Sequence, residues 1–274
     1  MKKLSFREVQ EASYTVLKRI DTICREHSWI YFLAYGSLIG AYREGGIIPW
    51  DDDIDIMMPR PDFDKFKAYF IEHSHELMPL KIFDHSVNKD YPHVIPRISD
   101  TRYKLIFDNE KDYGIGVFVD VYPLDGVGND RKVAECFCRK MKRLASLCFL
   151  TGRKKFGVDN TRSKAKMLLK IPAYAWAKIL GNDHYVDKIN KLVQKYDYND
   201  SRYVAVSSWL AGGNPDVFEK KIFKPTTVHF ENGEFGSFVG YDEFLKITYG
   251  DYMTPPPEND RKTNHTYDAY YIGE

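Results

Sequence analysis

The chain has 274 residues, long enough for a sizeable core in one or two domains. Apolar residues are 43% and charged residues 29%, which excludes a disordered or fibrous chain, and no run of 18 apolar residues is present to cross a bilayer. Lys+Arg total 40 and Asp+Glu 39, so the net charge of +1 gives no general attraction for nucleic acid.

In chain order, Ser5-Phe6-Arg7-Glu8 fits a capping box ahead of an amphipathic helix with Val9, Val16, Leu17, Ile20 and Ile23 on its apolar face. Trp29 to Tyr35 predicts a short buried strand. Gly36-Ser37 ends it, and Leu38 to Glu44 predicts a brief helix stopped by Gly45-Gly46. Asp53 to Met58 alternates charged and apolar residues as a strand does, and Pro61 opens the next helix, with Phe63, Phe66 and Phe70 on its apolar stripe. Strands follow near Leu80–Phe83, Val94–Ser99, Tyr103–Phe107 and Gly116–Tyr122. Basic helices cover about 131–180, with Pro172 expected to kink or divide the second, and a third helix covers about 183–197. Short strands near 203–207 and 221–231, a helix from Tyr241 to Tyr249 and a Pro-rich tail complete the chain. This order reads as an α/β core with a helical appendage. Four sparse cysteines and a charged N-terminus, with no room for the apolar stretch of a signal peptide, predict reduced thiols and a cytoplasmic protein.

The near-zero total hides an asymmetry. Between 131 and 170 stand thirteen Lys/Arg against only Glu135 and Asp159, a local charge of +11 in a chain of net +1. Met167 to Leu180 is mostly apolar and holds Tyr174 and Trp176. Together these suit helices lying on an anionic membrane surface, or simply solvated Lys-rich helix faces.

The chemistry concentrates between Tyr35 and Ile56. Gly36-Ser37 lies between a strand and a helix N-terminus, where a phosphate can approach the backbone and meet a hydroxyl. Asp53 and Asp55 are two apart on a strand, which places both carboxylates on one face about 7 Å apart. Such a pair repels unless a cation joins it, and hard Mg²⁺ bound also to substrate phosphates is the natural one, with Mn²⁺ as the alternative. Asp120, alone in the β-branched run Gly116 to Val121, is the third carboxylate. Asp51 and Asp52 read as solvated loop acids or loop caps. No Walker-A or dinucleotide fingerprint occurs, and Ser37 lacks a nucleophile-elbow context.

At these residues the chain resembles the LicD family of the nucleotidyltransferase-fold superfamily, which also includes fukutin-related proteins. The resemblance rests on Tyr35-Gly36-Ser37-Leu38-Ile39-Gly40-Ala41, on Ile48-Pro49-Trp50-Asp51-Asp52-Asp53-Ile54-Asp55, on Phe118 to Gly126, and on Tyr249-Gly250-Asp251-Tyr252-Met253 with its prolines. The basic stretch matches least. The resemblance implies an α/β (α+β) fold: a nucleotidyltransferase-like mixed sheet flanked by helices over 1–130, a basic helical region over 131–200, and a part from 201–274 that completes the core and the active-site wall.

The activity it implies is transfer of phosphocholine from CDP-choline to a sugar hydroxyl of a lipid-linked cell-surface glycan, such as a teichoic acid precursor, with release of CMP at the inner face of the membrane. Carried onto this chain, Asp53 and Asp55 hold Mg²⁺, and Asp120 is the third metal carboxylate or the base for the sugar hydroxyl. Gly36 and Ser37 then sit against the donor phosphates, and Arg43 pairs with phosphate or is an exposed helix-end cation. Choline calls for an aromatic cage; Trp50 is its first candidate, and Tyr249 and Tyr252 are its second. The competing readings are transfer from CDP-ribitol or CDP-glycerol, a non-catalytic cation- or glycan-binding module, and nucleotidyl transfer. His265 is open between a phosphate contact and a cap.

Overall fold

The computed structural model describes residues 1–154, 164–208, 216–261, 263 and 267–273, with the backbone alone for 164–170. His265, Lys155 and Arg162 lie outside the described residues, as do the side chains of Lys164, Lys166 and Lys170. In chain order, β1 (Lys2–Lys3) leads into α1 (Phe6–Glu26), then β2 (Phe32–Leu33), α2 (Tyr35–Arg43), β3 (Asp55–Pro59) and α3 (Arg60–Glu72). Next come β4 (Leu80–Phe83), β5 (Arg97–Asp100), β6 (Tyr103–Phe107) and β7 (Val117–Gly128). Two long helices follow, α4 (Arg131–Gly152) and α5 (Lys164–Val193). The chain ends with β8 (Tyr203–Ala205), β9 (Phe218–Glu219), β10 (Pro225–Phe230), β11 (Gly233–Phe238), α6 (Tyr241–Tyr249) and β12 (Tyr267–Tyr271).

Local chemistry starts α1 where the capping box predicts. The Ser5 hydroxyl accepts from the Glu8 backbone N–H, and the Glu8 carboxylate accepts the Ser5 backbone N–H at 2.7 Å. Elsewhere the boundaries shift. The strand expected over Trp29 to Tyr35 shrinks to Phe32–Leu33, and α2 begins at Tyr35 rather than Leu38. Tyr35 enters the helix at φ 45°, a conformation few non-glycine residues adopt. Gly36 and Ser37 therefore lie inside the first turn of α2, not ahead of it. Pro172 does not divide α5; the break falls at Gly181, whose φ of 76° costs a glycine nothing. The helix expected at 183–197 is the second segment of α5 and ends at Val193. The strand expected near 221–231 is β10, whereas its hairpin partner β11 and the strand β12 had no clear sequence signal.

The central sheet has the order β2-β3-β7-β5-β4, with β8 on the far half of β7 and β9 beside β8. β3 and β7 run parallel and their neighbours antiparallel, so the sheet is mixed and the fold is α+β. β12 pairs separately with β1 and β6. β7 is buried along its whole length and joins two apolar cores. Leu124 belongs to the main core, which packs α1, α2, α3 and α6 against the sheet; Val127 belongs to a second core built with α4, α5 and β8. Alternation along the strands leaves Ile56, Val119, Val121 and Ile98 on one face, all fully buried. Asp55, Asp120 and Arg97 share the other.

The register that aligns those three depends on close backbone approach where β7 begins. A Cβ at Gly116 would collide with the carbonyl oxygens of Asp100 and Tyr103, neither of which can swing away. Gly116→Ala is expected to destabilise the protein by about 2–4 kcal/mol, measured by denaturant unfolding.

Candidate active site

Asp55 opens β3 and pairs across the sheet with Asp120 on β7, and Asp120 pairs on its other side with Arg97 on β5. Directly paired residues project to the same face, so the register alone sets Asp55, Asp120 and Arg97 in a row. Both ends of the row are fixed. The Asp55 backbone N–H donates to the Ser37 hydroxyl oxygen at 2.9 Å, and the Asp55 carbonyl accepts the Ala34 N–H at 2.9 Å. Arg97 Nε donates to Asp120 Oδ1 at 2.7 Å, and its guanidinium lies 3.9 Å from the centre of the Phe118 ring.

Asp53 precedes the strand instead of lying on it, so the expected 7 Å spacing does not apply. The irregular backbone brings its carboxylate back: Asp53, Asp55 and Asp120 each offer an oxygen, all within 4.8 Å of one another. Asp51, Asp52 and Asp53 form a second such group. Asp52 is buried and Asp51 half-buried, which corrects the reading of both as solvated loop acids. Gly36 makes room for this cluster, since a Cβ there would run into Asp51 Oδ2.

Packing anions together without a cation has a cost that falls on Asp55. Burial first, then the charges of Asp53, Asp120 and Asp51, hold its carboxyl well above the usual carboxylate range, with Tyr122 pulling the other way. Its Oδ1 is buried and meets no hydrogen-bond donor among the described residues. An orphaned carboxylate oxygen beside two further carboxylates is a poor structural device and a good set of hard donors for Mg²⁺ or Mn²⁺. The residues fit such an ion.

The other expected site residues divide. Ser37 is buried against Asp55, and its oxygen is already an acceptor. Arg43 is not an exposed helix-end cation: its side chain is 9% exposed, Nη1 donates to the Tyr252 carbonyl at 2.7 Å, and Nε meets Glu44 at 2.7 Å. The Trp50 ring faces two guanidiniums, Arg43 at 5.8 Å and Arg261 at 5.0 Å. Tyr252 is buried and gives its hydroxyl to Asp242 at 2.9 Å, which ties the tail to α6. Tyr249 is half-exposed at the end of α6, and burial of its hydroxyl first, then the charges of Asp55 and Asp51, raise that hydroxyl above its ordinary range. Sequence reasoning missed Arg97, whose role exists only through strand pairing, and Arg261, which lies far along the chain.

Residues 29–130, which hold the whole carboxylate row, match the family model described as LicD/FKTN/FKRP, nucleotidyltransferase domain. The lipopolysaccharide cholinephosphotransferase LicD of Haemophilus influenzae is 30% identical over 99% of this chain and 100% of its own length. The chain belongs to the LicD family. An uncharacterized protein of Rickettsia typhi is 30% identical over 41% of this chain and 34% of its own. As a LicD-family member with this site, the protein is a phosphotransferase.

A sign follows from the Asp55 environment. Its folded-state pKa is raised, so the metal-free protein binds extra protons on folding and loses stability as pH rises beyond the usual carboxylate range. Asp55→Asn removes that burden. The variant is expected to melt at or above the parent without metal and with a flatter pH dependence, whereas added Mg²⁺ raises the melting temperature of the parent only. Thermal unfolding with and without Mg²⁺ between pH 5 and 8 measures both effects.

Proposed function

We propose that this protein transfers phosphocholine from CDP-choline to a sugar hydroxyl of a cell-surface glycan and releases CMP, and that it needs Mg²⁺ to do so. The observation that carries the reading is the set of three aspartate oxygens within 4.8 Å, with Asp55 Oδ1 buried and unpartnered, in a LicD-family chain. The name of the Haemophilus relative supports phosphocholine as the group transferred and a lipopolysaccharide glycan as one acceptor class, beside the teichoic acid precursor expected from sequence.

In this reading Asp53, Asp55 and Asp120 hold the metal, which supplies charge stabilisation for the phosphoryl oxygens and the departing CMP. Arg97 neutralises part of the Asp120 charge and holds its carboxylate in the row. Ser37 fixes Asp55 from below and keeps its hydroxyl hydrogen for a phosphate oxygen. Arg43 and Arg261 lie over the ring of Trp50, the residue that precedes the aspartate run, and supply positive charge for the diphosphate of the donor. The acceptor hydroxyl oxygen attacks the phosphorus that carries choline, in line with the bond to CMP that breaks, and its proton leaves through Asp120, the base expected from sequence.

The same reading places the protein on the cytoplasmic face of the membrane. Arg131, Lys132, Arg139, Lys140 and Arg143 are exposed along α4. On α5, Ile171, Trp176 and Ile179 project from one exposed side, the last two 59% and 75% exposed. Exposed apolar side chains beside a basic helix suit an anionic bilayer.

The test is calorimetric titration of CDP-choline with and without Mg²⁺, against CDP-ribitol and CDP-glycerol, followed by product analysis with a sugar acceptor. Mg²⁺-dependent binding of CDP-choline over the polyol donors, with CMP released on turnover, is the expected result. Equal binding of all three moves the donor to the polyol series, and release of phosphocholine in place of CMP, or no nucleotide binding at all, refutes the reading.

A further inference from the structure

The end of β3 away from the aspartates opens on a groove that the steps above do not use. Arg60 stands five positions beyond Asp55, about 16 Å along an extended strand. Beside it lies a cavity of about 590 Å³, between the first turns of α3 and the chain that leaves α5. That volume suits a small molecule or a few sugar units.

Its walls are fixed by bonds within the protein. Arg60 Nε donates to the buried Asp125 carboxylate at 2.7 Å and Nη1 to Asp64 at 3.2 Å, while the Ser207 hydroxyl donates to the other Asp125 oxygen at 2.5 Å. On the opposite wall, Lys220 Nζ donates to the carbonyls of Tyr198 at 2.9 Å and Asn199 at 2.6 Å. The Ser201 hydroxyl donates to the Asp197 carbonyl at 2.6 Å and accepts the Gly128 N–H at 3.1 Å. The Tyr196 ring packs on the edge of Phe137, with 5.5 Å between ring centres, and against Gly128, where a Cβ would come within 3.2 Å of it. A loop tied at this many points is pre-organised, so a ligand need not order it.

The chemistry of the lining selects the ligand. Its charged residues balance: Arg60 and Lys67 against Asp64 and Asp197. Both cations are already paired, Lys67 with Asp84 at 2.8 Å, which leaves little to attract a phosphate. Among the described residues no group of three metal-ligating side chains lies here. An acyl chain would strand the amides of Asn190, Gln194 and Asn199, which line the same cavity. All three amides are exposed, and among the described residues none of their side chains hydrogen-bonds to the protein. They keep both donors and acceptors for a ligand. Tyr196 and Tyr198 add ring surface and hydroxyls beside them. A sugar ring presents hydroxyls that donate and accept along its rim and C–H groups on its face, and this lining matches both.

We propose that this groove binds sugar units of a neutral oligosaccharide, and that it anchors the acceptor glycan at units beyond the one modified. The anchoring rests on the transferase reading; the binding of sugar does not.

The test is amide NMR of the full chain, without nucleotide or metal, titrated with maltotetraose and with the tetramer of N-acetylglucosamine. Inorganic tripolyphosphate serves as the competitor. At least one tetramer is expected to bind with shifts centred on residues 190–199, undisturbed by tripolyphosphate. Asn190→Ala combined with Gln194→Ala removes two hydrogen-bonding groups and should weaken binding by about tenfold or more, with the parental melting temperature. Asn199→Ala should weaken it too and carries the test if the double variant does not fold. Binding of neither tetramer, shifts centred elsewhere, affinity unchanged in the variants, or displacement by tripolyphosphate overturns the groove. With an oligosaccharide acceptor the double variant should raise KM, whereas a fall in kcat at unchanged KM contradicts the anchoring. A parent that transfers phosphocholine but binds neither tetramer keeps the transferase reading and loses the groove; one that binds a tetramer but no CDP-choline does the reverse.

Discussion

Mutual repulsion among Asp53, Asp55 and Asp120 is the constraint around which this fold is arranged. Three carboxylate oxygens within 4.8 Å, largely out of water, separate unless something holds them. Parallel pairing of β3 with β7 supplies part of the restraint, because it sets Asp55 opposite Asp120. Arg97 adds a fixed positive charge at the end of the row. Ser37 and Ala34 clamp the Asp55 backbone, and Gly36 gives up a side chain so that Asp51 can close in. The apolar face of the same strands packs the main core, so the energy that holds the anions together comes from burial of Ile56, Val119 and Val121 on the other side.

How far the sequence foretold this depends on the range of the interaction. The capping box of α1 is local, and it was legible. Asp120 was legible because an acid in a β-branched run needs a reason to be there. Asp53 and Asp55 were legible by spacing, although the spacing argument assumed a strand that starts two residues later. Arg97 was not, since it faces Asp120 only through antiparallel pairing of residues 23 positions apart in sequence. The early start of α2 had no cue either: nothing in an aromatic residue announces φ 45°, which tertiary packing imposes. Pro172 misled because the helix runs on through it despite its local cost, while the boundary expected between 180 and 183 falls at Gly181. Asp51 and Asp52 looked like loop acids because exposure is not written in an acidic run.

The aromatic residues divide by the cations they can meet. Trp50 faces two guanidiniums, those of Arg43 and Arg261. Tyr42 and Tyr241 stack on each other and, with Tyr252, fasten α6 to α2. Tyr35 packs its ring against Tyr122 and Phe244 in the main core.

The central claim is that the aspartate row exists to hold a divalent cation. Anomalous diffraction from crystals soaked in Mn²⁺ tests it directly. The account predicts a peak at oxygen-ligand distance from Asp53, Asp55 and Asp120, lost in Asp55→Asn crystals. An ordered, undisturbed row with no peak at saturating Mn²⁺ would contradict it.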